Sequence, residues 1–325
     1  MRLLKKNVSF LLRIVISIVL LVFLFRKVDF GSVIRLIAGS NLVLVTLAFF
    51  LSLVAYVFCF FRWKMLLETL GVSVSAGRLV TIFTGGIFFG ALFPSTIGSD
   101  LVRSLDLSAQ TQKPGPVVAA VLLDRLSGFT GMVIMALASL AAASRLAFHP
   151  VIFAGIAALT CVLTGALLVV FNTRIFSVVN RLLNRPGSGR IRSTLEAIHS
   201  SMHHFRRHKV VIVQNLLLSL VVQILGPICG TVIAYALGFR INMLYFFLIV
   251  PLITAVTLLP ISIAGLGIRD FTTVFFLAPF GIGREVAVAI AQLSFFFIVL
   301  TTLLGGTIYY VLTLHHRRVQ PHPSS

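Results

Sequence analysis

Two breaks in an otherwise apolar chain carry the residue types able to do chemistry. One runs Pro94, Gly98, Ser99, Asp100, Arg103. The other runs Pro260, Gly265, Gly267, Arg269, Asp270, and each places an arginine nine residues after its proline. Proline removes a backbone donor and glycine permits irregular backbone, so both segments expose amides and carbonyls that lipid cannot satisfy. A polar substrate or a water-filled cavity can satisfy them. Arginine then supplies a permanent cation whose planar fork suits phosphate. The alternative is a pair of ordinary interhelical loops in which Arg103 and Arg269 anchor the helices at the membrane interface.

The acids favour a site. Only 8 Asp and Glu stand against 27 Lys and Arg, and Asp100, Asp106, Asp124 and Asp270 all fall in or beside these breaks or near the start of a span. Ionisable groups at membrane depth are costly and mark functional positions, usually in pairs. Asp124-Arg125 sits inside an apolar run, which predicts a buried position. A salt bridge from Asp124 to Arg103 or Arg269 and a substrate or proton site remain alternatives for it.

Other patterns carry less. His199, His203, His204 and His208 include two pairs four residues apart, a spacing able to bring imidazoles to one metal, with Glu196 the nearest acid. A basic helix lying on anionic headgroups explains the same residues, and no metal site is expected. Cys59, Cys161 and Cys229 are too scattered for a ligand set. P-loop, G-x-S-x-G and Asp-x-Asp patterns do not occur, and no cofactor and no catalytic residue are expected. Gly86-x-x-x-Gly90 and Gly226-x-x-x-Gly230 read as packing contacts between helices.

The elements that must position these residues are membrane helices. The chain has 325 residues, 58% apolar, enough for roughly nine spans of ~20 residues. That excludes a soluble globular domain. The net charge of +19 has little solvated surface to sit on, so it reads as membrane topology and not as a nucleic-acid interface. Arg2, Lys5 and Lys6 precede an uncleaved first span at about 10–25. Further apolar runs cover about 42–61, 79–93, 116–143, 149–171, 210–238, 241–260, 271–281 and 285–314. The short runs 79–93 and 271–281 predict re-entrant hairpins, which puts the arginine-rich stretch 172–209 in the cytoplasm.

The predicted fold is an all-α polytopic membrane protein with about 6–8 transmembrane helices, both termini cytoplasmic. Two opposed broken helices form an inverted repeat within a single domain spanning 1–325. Repeat one covers about 42–171, the basic loop 172–209 and repeat two about 210–314.

The blocks Pro94…Gly98-Ser-Asp100-Leu-Val-Arg103, Leu123-Asp124-Arg125-Leu-Ser-Gly128 and Pro260…Ala264-Gly265-Leu266-Gly267-Ile-Arg269-Asp270 resemble the flippase-like transmembrane domain of the lysylphosphatidylglycerol synthetase family. The resemblance extends from about residue 10 to 315. Family members usually carry a second glycine where this chain has Ser99, and Glu where it has Asp124 and Asp270. The resemblance implies movement of a lipid or lipid-linked glycan between leaflets, without the aminoacyl-transferring domain of the fused members.

The expected function is therefore transbilayer movement of an anionic or polyprenyl-phosphate lipid in the cell inner membrane. The expected substrate-binding residues are Pro94, Gly98, Asp100, Arg103, Asp124, Arg125, Pro260, Gly265, Gly267, Arg269 and Asp270, with the aspartates pairing the two break arginines, Arg103 and Arg269, when no lipid is bound. The alternatives are a polyprenyl-phosphate-dependent glycosyltransferase and an accessory subunit working beside a glycosyltransferase partner.

Overall fold

A computed structural model describes residues 28–91, 98–142, 150–171, 208–258, 265 and 267–319. The chain is an all-α polytopic membrane protein. Ten helices follow in order among the described residues: α1 (Phe30–Ala38), α2 (Leu42–Thr69), α3 (Ala76–Gly90), α4 (Gly98–Thr111), α5 (Pro114–Ala142), α6 (Pro150–Phe171), α7 (Lys209–Ala236), α8 (Met243–Leu258), α9 (Ile268–Leu277) and α10 (Arg284–Val319). Four of them, α2, α5, α7 and α10, are long and apolar enough to cross a membrane, and α3, α6 and α8 are shorter apolar helices. The predicted first span at 10–25, Pro94, Pro260, the loop 172–207 and its histidines up to His204 lie outside the described residues.

Local sequence sets the helix ends. Asp29 caps α1 by accepting from the Gly31 N–H at 2.9 Å, and Asn41 caps α2 by accepting from Val43 N–H at 3.0 Å. Side-chain oxygens at these positions satisfy amides that a helix start leaves unpaired. The Asn41 N–H donates to the Ala236 carbonyl at 2.8 Å, pinning the start of α2 to the end of α7. At the end of the second break, Gly265 and Gly267 adopt φ of 77° and 75°, a left-handed backbone open to glycine at little cost.

Helix α2 outruns its predicted apolar run. The run ends at Phe61, yet the helix continues to Thr69 with Arg62 and Trp63 both buried. The expected run 271–281 becomes the short α9, a 3₁₀ turn at Ala278–Phe280 and Gly281 in the left-handed region.

Each half has the same plan: a long helix, a short one, a break, a second short helix, then a long one. These are α2, α3, α4 and α5 in the first half and α7, α8, α9 and α10 in the second. The packing follows the plan. Helix α2 packs on α7, α3 on α10 as α8 does on α5, α3 on α4 as α8 on α9, and α4 on α5 as α9 on α10. Exchanging the halves therefore maps these contacts onto themselves.

Small residues close the first hairpin. A Cβ on Gly90 would stand 2.5 Å from the Ser99 backbone, and one on Gly86 would stand 2.4 Å from Arg103 Cγ. Gly230 is held equally tightly, with Phe246 Cδ1 2.8 Å from its Cβ position. Both small-residue pairs thus pack helices, as their spacing predicts.

Candidate functional site

The site grows from four buried charges on the first-half helices, Arg62, Asp100, Arg103 and Asp124. Arg62 of α2 donates through Nε to Asp124 Oδ1 of α5 at 2.6 Å and through Nη1 to Ser219 Oγ of α7 at 2.9 Å. Ser219 in turn donates to the Asn215 carbonyl at 2.8 Å. The Asn215 amide donates to the Arg62 carbonyl at 3.4 Å. Three helices meet through one guanidinium. Gln223, one further turn along α7, donates to the Gly128 carbonyl of α5 at 3.0 Å.

Asp100, in the first turn of α4, takes an arginine on each oxygen. Arg103 donates to Oδ1 from one turn along the same helix, and Arg125 of α5 donates to Oδ2. Arg103 also lies 5.1 Å from the ring centroids of both Trp63 and Phe83. Cations over aromatic faces are attracted to the ring quadrupole, more so when desolvated. Among the described residues, Arg103 Nε and Trp63 Nε1 are buried donors with no acceptor. Buried donors almost always have a partner, protein or not.

A cavity of about 420 Å³ opens beside these groups, lined by Tyr56, Arg62, Arg103, Asp124, Arg125 and Thr254 among others. Among the described residues, three arginines, Arg62, Arg103 and Arg125, face two aspartates, Asp100 and Asp124, so these paired groups carry one net positive charge. Asp124 is 6% exposed and Asp100 5% exposed, values that leave water little access to the ion pairs. Arg125, with a side chain 30% exposed, is the more open of Asp100's two partners.

The second break forms a separate cluster. Asp270 accepts from the Gly267 N–H at 3.2 Å and from Gln292 Nε2 of α10 at 2.9 Å. Arg269 turns its guanidinium over the Phe295 ring, 5.6 Å from the centroid, and presses on Gly265, where a Cβ would stand 3.1 Å from Nη2. Gly265 thus suits its backbone angle, and a side chain there would push on the tip of Arg269. No carboxylate lies within ion-pair distance of Arg269 among the described residues.

Of the residues singled out in the sequence, Asp100, Arg103, Asp124 and Arg125 come together and Gly98 begins the helix that carries two of them. Gly265, Gly267, Arg269 and Asp270 do not line the central cavity. The expected partner of Asp124, either Arg103 or Arg269, is replaced by Arg62. Arg103 is already held by Asp100 one turn away, and the longer α2 delivers a nearer cation. Asp270, likewise expected to meet an arginine, instead meets the neutral Gln292.

Residues 10–306 match the family described as the lysylphosphatidylglycerol synthase TM region. The chain belongs to this family. No curated protein and no solved structure matches it. All of the site residues lie within the stretch that matches the lysylphosphatidylglycerol synthase TM region, which ties this member to a membrane function concerned with lipid.

Sequence reasoning passed over Arg62, Asn215, Ser219, Gln223 and Gln292. A signal existed for the middle three: they recur every four residues along an otherwise apolar α7, which is one face of a helix. Gln292 gave none, because a neutral amide does not stand out in a search for charge pairs.

Proposed function

We propose that this family member moves an anionic lipid, or a lipid-linked glycan carrying phosphate, between leaflets through the central cavity. One observation carries the reading: an unused N–H on the buried Arg103, in a cluster where, among the described residues, two buried arginines and the half-buried Arg125 stand against two buried carboxylates. An anion entering the cavity binds the unused Nε–H of Arg103 and the more exposed Arg125 beside Asp100, so it offsets the excess positive charge while Asp100 keeps its arginines and no buried charge is left alone. Arg103 is the anchor because Trp63 and Phe83 fix its plane. Arg125 meets the anion first because it is the more exposed.

In this reading the protein is a multi-pass protein of the cell inner membrane with cytoplasmic termini, and the two hairpins enter from opposite faces as an inverted repeat. The exchange of contacts between the halves supports that arrangement. A polyprenyl-phosphate transferase would need a carboxylate base at the cavity. Asp100 and Asp124 are both engaged by arginines, which favours lipid movement over that chemistry.

The test is leaflet exchange of labelled phosphatidylglycerol and polyprenyl phosphate in proteoliposomes. Arg103→Gln keeps the side chain's bulk and removes its charge. A charge-assisted hydrogen bond is worth about 1.5–3 kcal/mol, so exchange should fall by roughly ten- to a hundredfold. Arg103→Lys keeps the charge without the fork and should fall between the two. Wild-type exchange in Arg103→Gln would remove the basis of the proposal.

A further inference from the structure

A second cavity, of about 760 Å³, lies between α3, α4 and the far end of α10. It uses a different face of α3 from the central cavity, namely Ile82, Gly85 and Phe89 instead of Phe83 and Ile87. Its lining is sorted by depth. The polar residues sit at helix ends: Ser75 caps the start of α3 and Arg78 is in that first turn, Asp106 and Gln110 are in the last turns of α4, and Thr313 lies late in α10. The apolar and aromatic ones, Ile82, Phe89, Val102 and Tyr309, lie further in from the same helix ends. Exposed Leu101 and Leu105 of α4 and Tyr310 and Val311 of α10 flank it, so the mouth opens in surface suited to lipid.

The polar end carries both signs in a fixed order. Arg78 Nε donates to Gln110 Oε1 at 2.9 Å, and Gln110 Nε2 donates to Asp106 Oδ1 at 2.5 Å. One amide thus separates a guanidinium from a carboxylate. Ser75 makes no side-chain cap bond to its own helix, which leaves its hydroxyl and the first amides of α3 open to an acceptor. Arg78 stands in the first turn, where the helix dipole favours negative charge over positive. An anion there would relieve that conflict.

We propose that this cleft binds one phospholipid bearing a phosphate and a primary ammonium, of the phosphoethanolamine class. The phosphate sits on Arg78, the Ser75 hydroxyl and the start of α3. The ammonium donates to the free oxygen of Asp106. The acyl chains run inward past Ile82, Val102 and Phe89. A headgroup lacking the amine leaves the free oxygen of Asp106 without a donor and adds a net negative charge beside it. A trimethylated amine keeps the charge but has no N–H to give. This binding preference stands whether or not the central cavity moves lipid.

Delipidated protein is titrated with dioleoyl phosphatidylethanolamine, phosphatidylglycerol and phosphatidylcholine, and retained lipid is counted by native mass spectrometry. The lipid that the wild type retains and Val102→Trp does not should be phosphatidylethanolamine over either competitor by roughly tenfold, the scale of one charge-assisted bond. Asp106→Asn should bring phosphatidylethanolamine and phosphatidylglycerol to parity. Arg78→Gln should weaken all three at the cleft, and Val102→Trp, which fills the cleft without touching a charge, should abolish the preferentially retained phosphatidylethanolamine. Circular dichroism of each variant separates lost binding from lost fold. Equal retention of phosphatidylglycerol in the portion that Val102→Trp removes, or an unchanged preference in Asp106→Asn, overturns the proposal.

Discussion

Asp124→Ala should destabilise the protein by about 3–5 kcal/mol, the range for breaking a buried ion pair from one side. The loss comes chiefly from what remains. The Arg62 side chain is 7% exposed, and without Asp124 its guanidinium keeps only the Ser219 hydroxyl, which is already committed as a donor to the Asn215 carbonyl. Replacing both partners, Arg62→Met with Asp124→Leu, removes the stranded charge and should recover stability to within roughly 1–2 kcal/mol of wild type. Unfolding followed by tryptophan fluorescence in a denaturant titration measures both, Trp63 being the chain's one tryptophan, fully buried and next to Arg62 in sequence. Leaflet exchange separates structure from function. The double variant should fold and fail to exchange, since its cavity has lost both members of one ion pair. If it exchanges at the wild-type rate, the Arg62–Asp124 pair is a scaffold, and cargo handling rests on Arg103 and Arg125.

Gly90→Ala is expected to invert the usual effect of that substitution. In a helix interior, alanine is better than glycine by about 0.5–1 kcal/mol. At Gly77 of the same helix the space is open, with nothing within 4 Å of a Cβ, and Gly77→Ala should be neutral or mildly stabilising. At Gly90 the added carbon meets backbone atoms of Ser99 at 2.5 Å. Backbone cannot rotate away as a side-chain tip does, so α4 must shift, at a cost of about 1–3 kcal/mol or more. Gly86→Ala presses instead on the Arg103 stem, and its main effect should be on exchange, through a displaced guanidinium. Comparing the three alanines in one thermal-unfolding series checks the prediction by sign: a stabilised Gly90→Ala would mean that the hairpin is looser than its contacts.

How much of this was legible in the sequence varied with the physics behind each feature. The long spans were legible because bilayer thickness fixes their length, and α5, α7 and α10 follow their apolar runs closely. The short runs at 79–93 and 271–281, each beside a proline–glycine break, announced hairpins for the same reason. Hydropathy did not place the end of α2. Arg62 looks like the end of a run, whereas the helix carries it into the protein interior, where Asp124 and Ser219 compensate its charge.

The ion-pair partners were not legible because pairing depends on which helices are neighbours and how each is rotated. The nine-residue spacing from proline to arginine is equal in both breaks, yet Arg103 stands one turn after Asp100 while Arg269 immediately precedes Asp270. Equal spacing therefore placed the arginines differently against their acids. One arginine closes an ion pair at the cavity; the other lies over Phe295, outside the cavity wall.

The burial of Arg62, Asp100, Arg103 and Asp124 also fixes how the protein should respond to ionic strength. Mobile ions screen exposed charges over about 10 Å at 0.1 M salt and screen enclosed pairs far less. Cargo held in the cavity should then be nearly indifferent to added sodium chloride, with exchange changing by less than about twofold between ~0.05 and ~0.5 M. Attraction between the basic surface and anionic vesicles should weaken over the same range. Salt thus acts as a scalpel: it strips away the outer electrostatics and leaves the inner ones in place.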